Sequence, residues 1–260
     1  MDHRAFAQSP AGRVRHVPGG NYWAFLPNPL PPPVEWTADL VTDLAQAERA
    51  LGTLAGIGGG LPNPHLLITP FMRREAVLSS QIEGTRASLT DLYAYEAQQL
   101  TLFDGPSDVR EVYNYVDALE YGLTRLASLP VSLRLICEIH SRLMAGVRGG
   151  QQAPGSFRHT QNWIGPAECS LNEATYVPPP PDEMMDALSV LESYIHKETT
   201  QPALIRLGLI HYQFEAIHPF IDGNGRVGRL LISLLLCAWQ LLPQPLLYLS
   251  AYLEAHRQRY

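Results

Sequence analysis

The chain has 260 residues, 46% of them hydrophobic and 17% charged, with a formal net charge of −6. That is the balance of a core-forming globular chain, so global disorder is excluded and one large domain, or a domain with an attached helical segment, is expected. A net negative charge argues against a general nucleic-acid coat, so any anionic ligand needs a local basic cluster.

Residues 1–36 are rich in Pro and Gly, which predicts an extended segment strapped across a surface with Trp23 and Phe25 as anchors. Thr37 to about Leu54 reads as a helix that ends near Gly58-Gly59-Gly60. Pro64 to about Glu83 reads as the next helix, with Pro64 and Pro70 early in it or marking a break, and with Gly84 as its C-cap. Helical patterns follow at about 88–100, 108–128 and 131–147. The last carries Leu135, Ile136, Ile139, Leu143 and Met144 on a 3.6-residue period. Residues 149–180 lose that period and read as a loop and hairpin. A helix is expected from about Asp182, with Met184, Leu188, Leu191 and Ile195 on one face, and another over 203–217. Ser250–Tyr260 reads as a last helix without a Gly or Pro cap, so the chain is expected to continue beyond this point.

Cys137, Cys169 and Cys237 show no paired spacing, and neither Cys-x-x-Cys nor His-Glu-x-x-His occurs, so zinc has no support. The N-terminus lacks a charged-then-apolar leader. The longest apolar run, Leu230–Leu242, falls short of the ~20 residues of a membrane span. No membrane partner and a cytoplasmic location are the default expectations.

Residues 218–229 read His-Pro-Phe-Ile-Asp-Gly-Asn-Gly-Arg-Val-Gly-Arg and open onto the Leu230–Leu242 run. A polar loop feeding a helix N-terminus is an anion site, because free N–H groups and the helix dipole point at the ligand. Arg226 and Arg229, three apart, share a helical face and can grip one polyphosphate. Asp222 can hold the Mg²⁺ that accompanies a nucleotide, and His218 is the natural proton acceptor. Gly223-Asn224-Gly225 alone would read as a turn with Asp222 as N-cap. The convergence of His, Asp, Asn and two Arg favours a nucleotide site.

These residues resemble the signature of the Fic (filamentation-induced by cAMP) family, His-x-Phe-x-(Asp/Glu)-Gly-Asn-Gly-Arg-x-x-Arg. His218, Phe220, Asp222, Gly223, Asn224, Gly225, Arg226 and Arg229 match every fixed position. The related Doc branch has Lys where this chain has Gly225, so the resemblance sides with AMP transfer. It implies a mainly α fold, a Fic-fold helical bundle with a small β-hairpin flap over the active site. It also implies transfer of AMP from ATP to a Tyr, Thr or Ser hydroxyl of a target protein. In those roles His218 is the base and Asp222 holds Mg²⁺. The backbone of Gly223, Asn224 and Gly225 meets the α-phosphate, the Asn224 side chain touches that phosphate or the ribose, and Arg226 and Arg229 orient the β- and γ-phosphates.

Upstream, Ser79-Ser80-Gln81-Ile82-Glu83-Gly84 is similar to the family's inhibitory motif, (Ser/Thr)-x-x-x-Glu-(Gly/Asn). The resemblance implies a class II, self-inhibited protein in which Glu83, with Ser79, competes with the γ-phosphate for Arg229. Some relatives of that kind also remove AMP. Gly155-Ser156-Phe157-Arg158, Gln161-Asn162-Trp163-Ile164-Gly165 and Tyr176–Pro180 resemble the flap region, so a target is expected to dock near residues 161–178 by strand addition. Self-modification and a homodimer are further family options. The implied division is 1–60, an extended segment and helix; 61–100, the inhibitory helix region; and 101–260, the catalytic core, with a C-terminal region to follow. The signature grips phosphates rather than the base. UMP or GMP transfer, and a nucleotide-binding regulator with little catalysis, therefore stay open as alternatives.

Overall fold

The computed structural model describes residues 1–60, 62–63, 65–98, 107–147, 153–166, 168–258 and 260, excluding the side chains of His65, Gln98 and Ser107. It is mostly helical, with one two-stranded antiparallel sheet among the described residues. The chain forms two compact units, each drawn from two stretches: Met1–Trp36 with Phe157–Asn224, and Thr37–Ser156 with Gly225–Tyr260. The expected boundaries at residue 61 and near residue 100 lie outside the described residues.

The first unit holds α1 (His3–Phe6), β1 (Gly12–Val17), β2 (Tyr22–Pro27), α7 (Pro181–His196) and α8 (Ala203–Ile217). The N-terminal segment is therefore not a plain strap. Its strands pair with Gly12 opposite Pro27 and Val17 opposite Tyr22, and Asn21 turns the corner at φ 50°. Phe25 is buried as an anchor should be, whereas Trp23 is only partly covered and stacks on His3. Prolines bracket the strands without entering the paired interior, where a missing N–H would break the ladder. The Phe25 N–H also donates to the Val177 carbonyl at 2.8 Å. Met184, Leu188 and Leu191 of α7 and Ile210, Phe214 and Ile217 of α8 are buried in this unit. The region expected as a flap hairpin is a loop closed by a single bridge, Ile164 to Tyr176, with a 3₁₀ turn at Leu171–Glu173. Residues 149–152 and 167 of that expectation lie outside the described residues.

The second unit holds α2 (Ala38–Gly59), α3 (His65–Ile82), α4 (Leu89–Gln98), α5 (Ser107–Arg125), α6 (Leu133–Leu143), α9 (Asn224–Ala238, from Gly225 on) and α10 (Ser250–Ala255). α2 runs on past Leu54 through Gly56 and ends at Gly59, within the Gly58-Gly59-Gly60 cluster where its end was expected. A Cβ on Gly58 would sit 2.3 Å from Leu246 Cδ1, so packing accounts for a residue that propensity would place outside a helix. α3 passes through Pro70, whose lost hydrogen bond falls in the second turn, where the Leu66 carbonyl belongs to an exposed residue. Pro64 lies outside the described residues. Gly84 takes φ 95° and turns the chain after α3, as a left-handed cap residue does. α5 and α6 end earlier than their apolar patterns. Asn114 collects the Leu143 and Ala145 carbonyls at 3.1 and 2.8 Å, satisfying the C-terminus of α6. α9 stops at Ala238 rather than Leu242, and the Leu241 N–H returns to the Leu236 carbonyl at 2.9 Å around Gln240 at φ 58°. α10 likewise covers six residues and ends at Ala255, where the His256 N–H folds back to Tyr252 and Leu253.

Candidate active site

The twelve-residue motif crosses the division between the units at Asn224–Gly225. In the first unit α8 delivers His218 as its C-cap, at φ 50°, ψ 60°. A non-glycine residue in that region is held there against local strain of about 1–3 kcal/mol. Its carbonyl accepts from Arg158 Nε at 2.9 Å and from Asn162 Nδ2 at 3.2 Å. Arg158 is 3% exposed and also donates to the carbonyls of Thr160 at 3.2 Å and Pro179 at 2.5 Å. Burial pushes its guanidinium down to about 10, which leaves it charged at neutral pH.

Two asparagines shape the turn that follows. Asn224 accepts the Phe220 N–H at Oδ1 and donates from Nδ2 to the Phe220 carbonyl, both at 2.8 Å, and Asn162 Nδ2 reaches the same carbonyl at 2.7 Å. In this structure the Asn224 side chain is buried with both its amide atoms bonded to the Phe220 backbone. What remains for an anion is main chain: Asn224 begins α9, and the first N–H groups of a helix have no intrahelical acceptors. Gly223, at φ 81°, makes the turn and donates to Asp222 Oδ1 at 2.6 Å. Asp222 itself is exposed. Among the described residues no group of three or more His, Cys, Asp or Glu could hold a metal. One exposed carboxylate fits a Mg²⁺ that arrives with nucleotide phosphates, since Mg²⁺ commonly binds through one or two carboxylates plus substrate oxygens.

In the second unit α9 carries the arginines. Arg229 donates from Nε to Ser79 Oγ at 2.8 Å, and from Nη2 to the Ser79 carbonyl at 3.0 Å and Glu83 Oε1 at 2.6 Å. Its side chain is 2% exposed, that of Glu83 39%. Burial works against the charge, but Glu83 and Tyr260 outweigh it and hold the guanidinium above its ordinary value. Gly225 lies against this pair: a Cβ there would come 2.3 Å from Glu83 Oε1. The glycine therefore serves the carboxylate contact as well as the turn. Arg226 pairs with Glu111, Nη1 to Oε2 at 3.2 Å, and both side chains are 4% exposed. Sequence reasoning missed Glu111. It also missed the role of Arg158, although the residues around Arg158 carried the flap resemblance. The signal for Glu111 was weak, one Glu in a helix rich in charges.

A left-handed histidine and a bracketed glycine turn in the first unit, and buried arginines in the second, fall on the twelve consecutive residues that resemble the Fic signature. Family models agree: residues 41–124 match the Fic/DOC family N-terminal region and residues 130–236 match the Fic/DOC family. The chain belongs to the Fic/DOC family. It is 28% identical over 212 residues to the protein adenylyltransferase Fic of Drosophila willistoni, covering 77% of this chain and 40% of that protein. It is 29% identical over 160 residues to the Drosophila grimshawi protein of the same name, covering 60% of this chain and 31% of that one. The chain thus spans about a third to two fifths of the length of those curated relatives. A solved Fic family protein from Desulfovibrio desulfuricans G20 superposes with a TM-score of 0.66 at 25% identity, over 88% of this chain and 66% of that chain. Fic-1 from C. elegans superposes at 0.62 and 23%, over 85% and 66%, a likeness of fold. No helix among the described residues is long and apolar enough to cross a membrane.

Proposed function

We propose that this chain is a protein adenylyltransferase held down by Glu83. A Tyr, Thr or Ser hydroxyl of a protein target attacks the α-phosphorus of ATP. The new O–P bond forms as the bond to the β-phosphate oxygen breaks, pyrophosphate leaves, and His218 takes the hydroxyl proton. The main-chain N–H groups at the start of α9 stabilise charge on the α-phosphate, as an oxyanion hole does. Mg²⁺ held by Asp222 would neutralise phosphate charge. Arg226 and Arg229 orient the outer phosphates. The loop around Trp163 and Ile164, both exposed, is the docking edge for an extended target segment.

The observation that carries this reading is the Glu83–Arg229 contact beside Gly225. One carboxylate occupies the cation that a γ-phosphate needs, at the mouth of a helix built to bind anions. The test is AMP incorporation from α-phosphate-labelled ATP with Mg²⁺ into purified protein and host lysate. Glu83→Gly is expected to raise labelling about ten-fold, the equivalent of one lost charge-assisted contact. Adding His218→Ala should abolish the label. Unchanged or lower labelling in Glu83→Gly sinks the inhibitory part. No label in any sample sinks AMP transfer.

A further inference from the structure

The second unit contains another carboxylate that the transfer chemistry does not use. Glu111, on α5, is 3% exposed. One of its oxygens, Oε2, accepts from two partners: Arg226 Nη1 at 3.2 Å and Thr85 Oγ1 at 3.0 Å. Thr85 is 4% exposed and lies two residues beyond Glu83; its own N–H returns to the Ser80 carbonyl at 3.2 Å. Arg226 also reaches Met144 Sδ from Nη2 at 3.6 Å. The segment from Ser79 to Thr85 therefore touches both motif arginines, Arg229 directly through Ser79 and Glu83, and Arg226 through Glu111.

A buried ion pair is an expensive way to fill space, since apolar residues of similar volume often stabilise as well or better. It does supply a fixed direction for the guanidinium. Arg226 and Arg229 are one helical turn apart, so a shift in either changes the geometry offered to one polyphosphate.

We propose that Glu111 is a positioning residue for the phosphate-binding arginines. Through Oε2 it fixes Arg226 and ties that side chain to Thr85, in the chain segment that bears Glu83. The proposal rests on the adenylyltransferase reading above. Its consequence is selective: ligands with β- and γ-phosphates depend on Glu111, and AMP does not.

The test is calorimetric binding of ATP and of AMP, both with Mg²⁺, to the full chain carrying Glu83→Gly, alone and combined with Glu111→Gln or Thr85→Val. Glu111→Gln keeps the shape and removes the charge. Its expected effect is a loss of ATP affinity of about ten-fold or more, with AMP affinity unchanged. Thr85→Val keeps the buried pair and removes one donor to Oε2. It should lower the ATP-to-AMP affinity ratio about three-fold, in a protein expected to fold even if Glu111→Gln does not. A purely structural Glu111 would lower the melting temperature and leave the ratio where it was, which overturns the proposal. So does a folded Thr85→Val with an unmoved ratio. A Glu83→Gly protein that binds neither nucleotide overturns the functional reading and the proposal together, whereas binding of both with a constant ratio overturns the proposal alone.

Discussion

Replacing Arg158 by Met would remove a charge and all its donors while keeping most of the apolar stem. Four bonds would be lost at 2.9, 3.2, 2.5 and 3.4 Å, to the carbonyls of His218, Thr160, Pro179 and Ile217. Each charge-assisted bond is worth about 1.5–3 kcal/mol net, but the sum overcounts, because removing the guanidinium also removes the penalty for burying it. A loss of about 3–5 kcal/mol follows, which for a chain of this size is a fall in Tm of roughly 10 °C. Asn162 would still reach the His218 carbonyl, but the left-handed conformation of His218 would lose the support of the Arg158 guanidinium. A proton acceptor displaced by an ångström costs about 10² in rate, so AMP transfer per folded molecule should fall by that order in the Glu83→Gly background. The assay pairs a thermal melt with initial rates of label incorporation at a temperature where both proteins are folded. An unchanged Tm would refute the energetic argument. A lowered Tm with an unchanged rate would refute the claim that Arg158 positions His218.

Glu75, buried at 3% exposure, accepts from Ser250 N at 3.0 Å and Ser250 Oγ at 2.5 Å, and burial raises its carboxyl above the ordinary 4.5. The folded protein then holds that proton more tightly than the unfolded chain. The stability contributed by Glu75 is complete below pH 4.5 and declines as the pH climbs through the raised native value. Tm measured across that range should decline less steeply for Glu75→Gln, and parallel curves would refute the assignment. Ser79→Ala removes the Oγ acceptor of Arg229 Nε at a fully buried position and should cost about 1.5–3 kcal/mol in denaturant unfolding, with a shift under about 0.5 kcal/mol counting against it.

The apolar helices were legible because burial imposes a 3.6-residue period on residues such as Leu135, Ile139 and Leu143. The N-terminal hairpin was not, because Pro and Gly dominate residues 1–36 and mask the short strands around Val14 and Phe25. Glycines carried more than turns: Gly58 lies within the last turn of α2 and packs against Leu246, and Gly225, read as part of a turn, also makes room for Glu83. The motif residues could be named from sequence because their spacing is local. What holds them is not local: Arg158 and Asn162 lie about sixty residues before His218, and Glu111 lies 115 residues before Arg226. A sequence pattern nominates side chains for the chemistry. The residues that fix their geometry come together only when the chain folds.

Solvent access separates the roles of the two acidic partners on α9's arginines. Arg226 and Arg229 are each 3% exposed, so each needs a built-in acceptor when no phosphate is bound. Glu111 is sealed in with Arg226, and displacing it would strand a carboxylate away from water. Glu83 is 39% exposed at its side chain and can turn into solvent when a phosphate takes its place, at small cost in hydration. Arg229 also holds two bonds to Ser79 and one to the Tyr260 hydroxyl at 3.4 Å that do not depend on Glu83, so on the proposed reading the guanidinium would stay aimed when Glu83 leaves. On the proposed reading, a displaceable carboxylate on one arginine and a permanent one on its neighbour would keep the site stable when empty and closed to γ-phosphate until the Glu83 contact is lost.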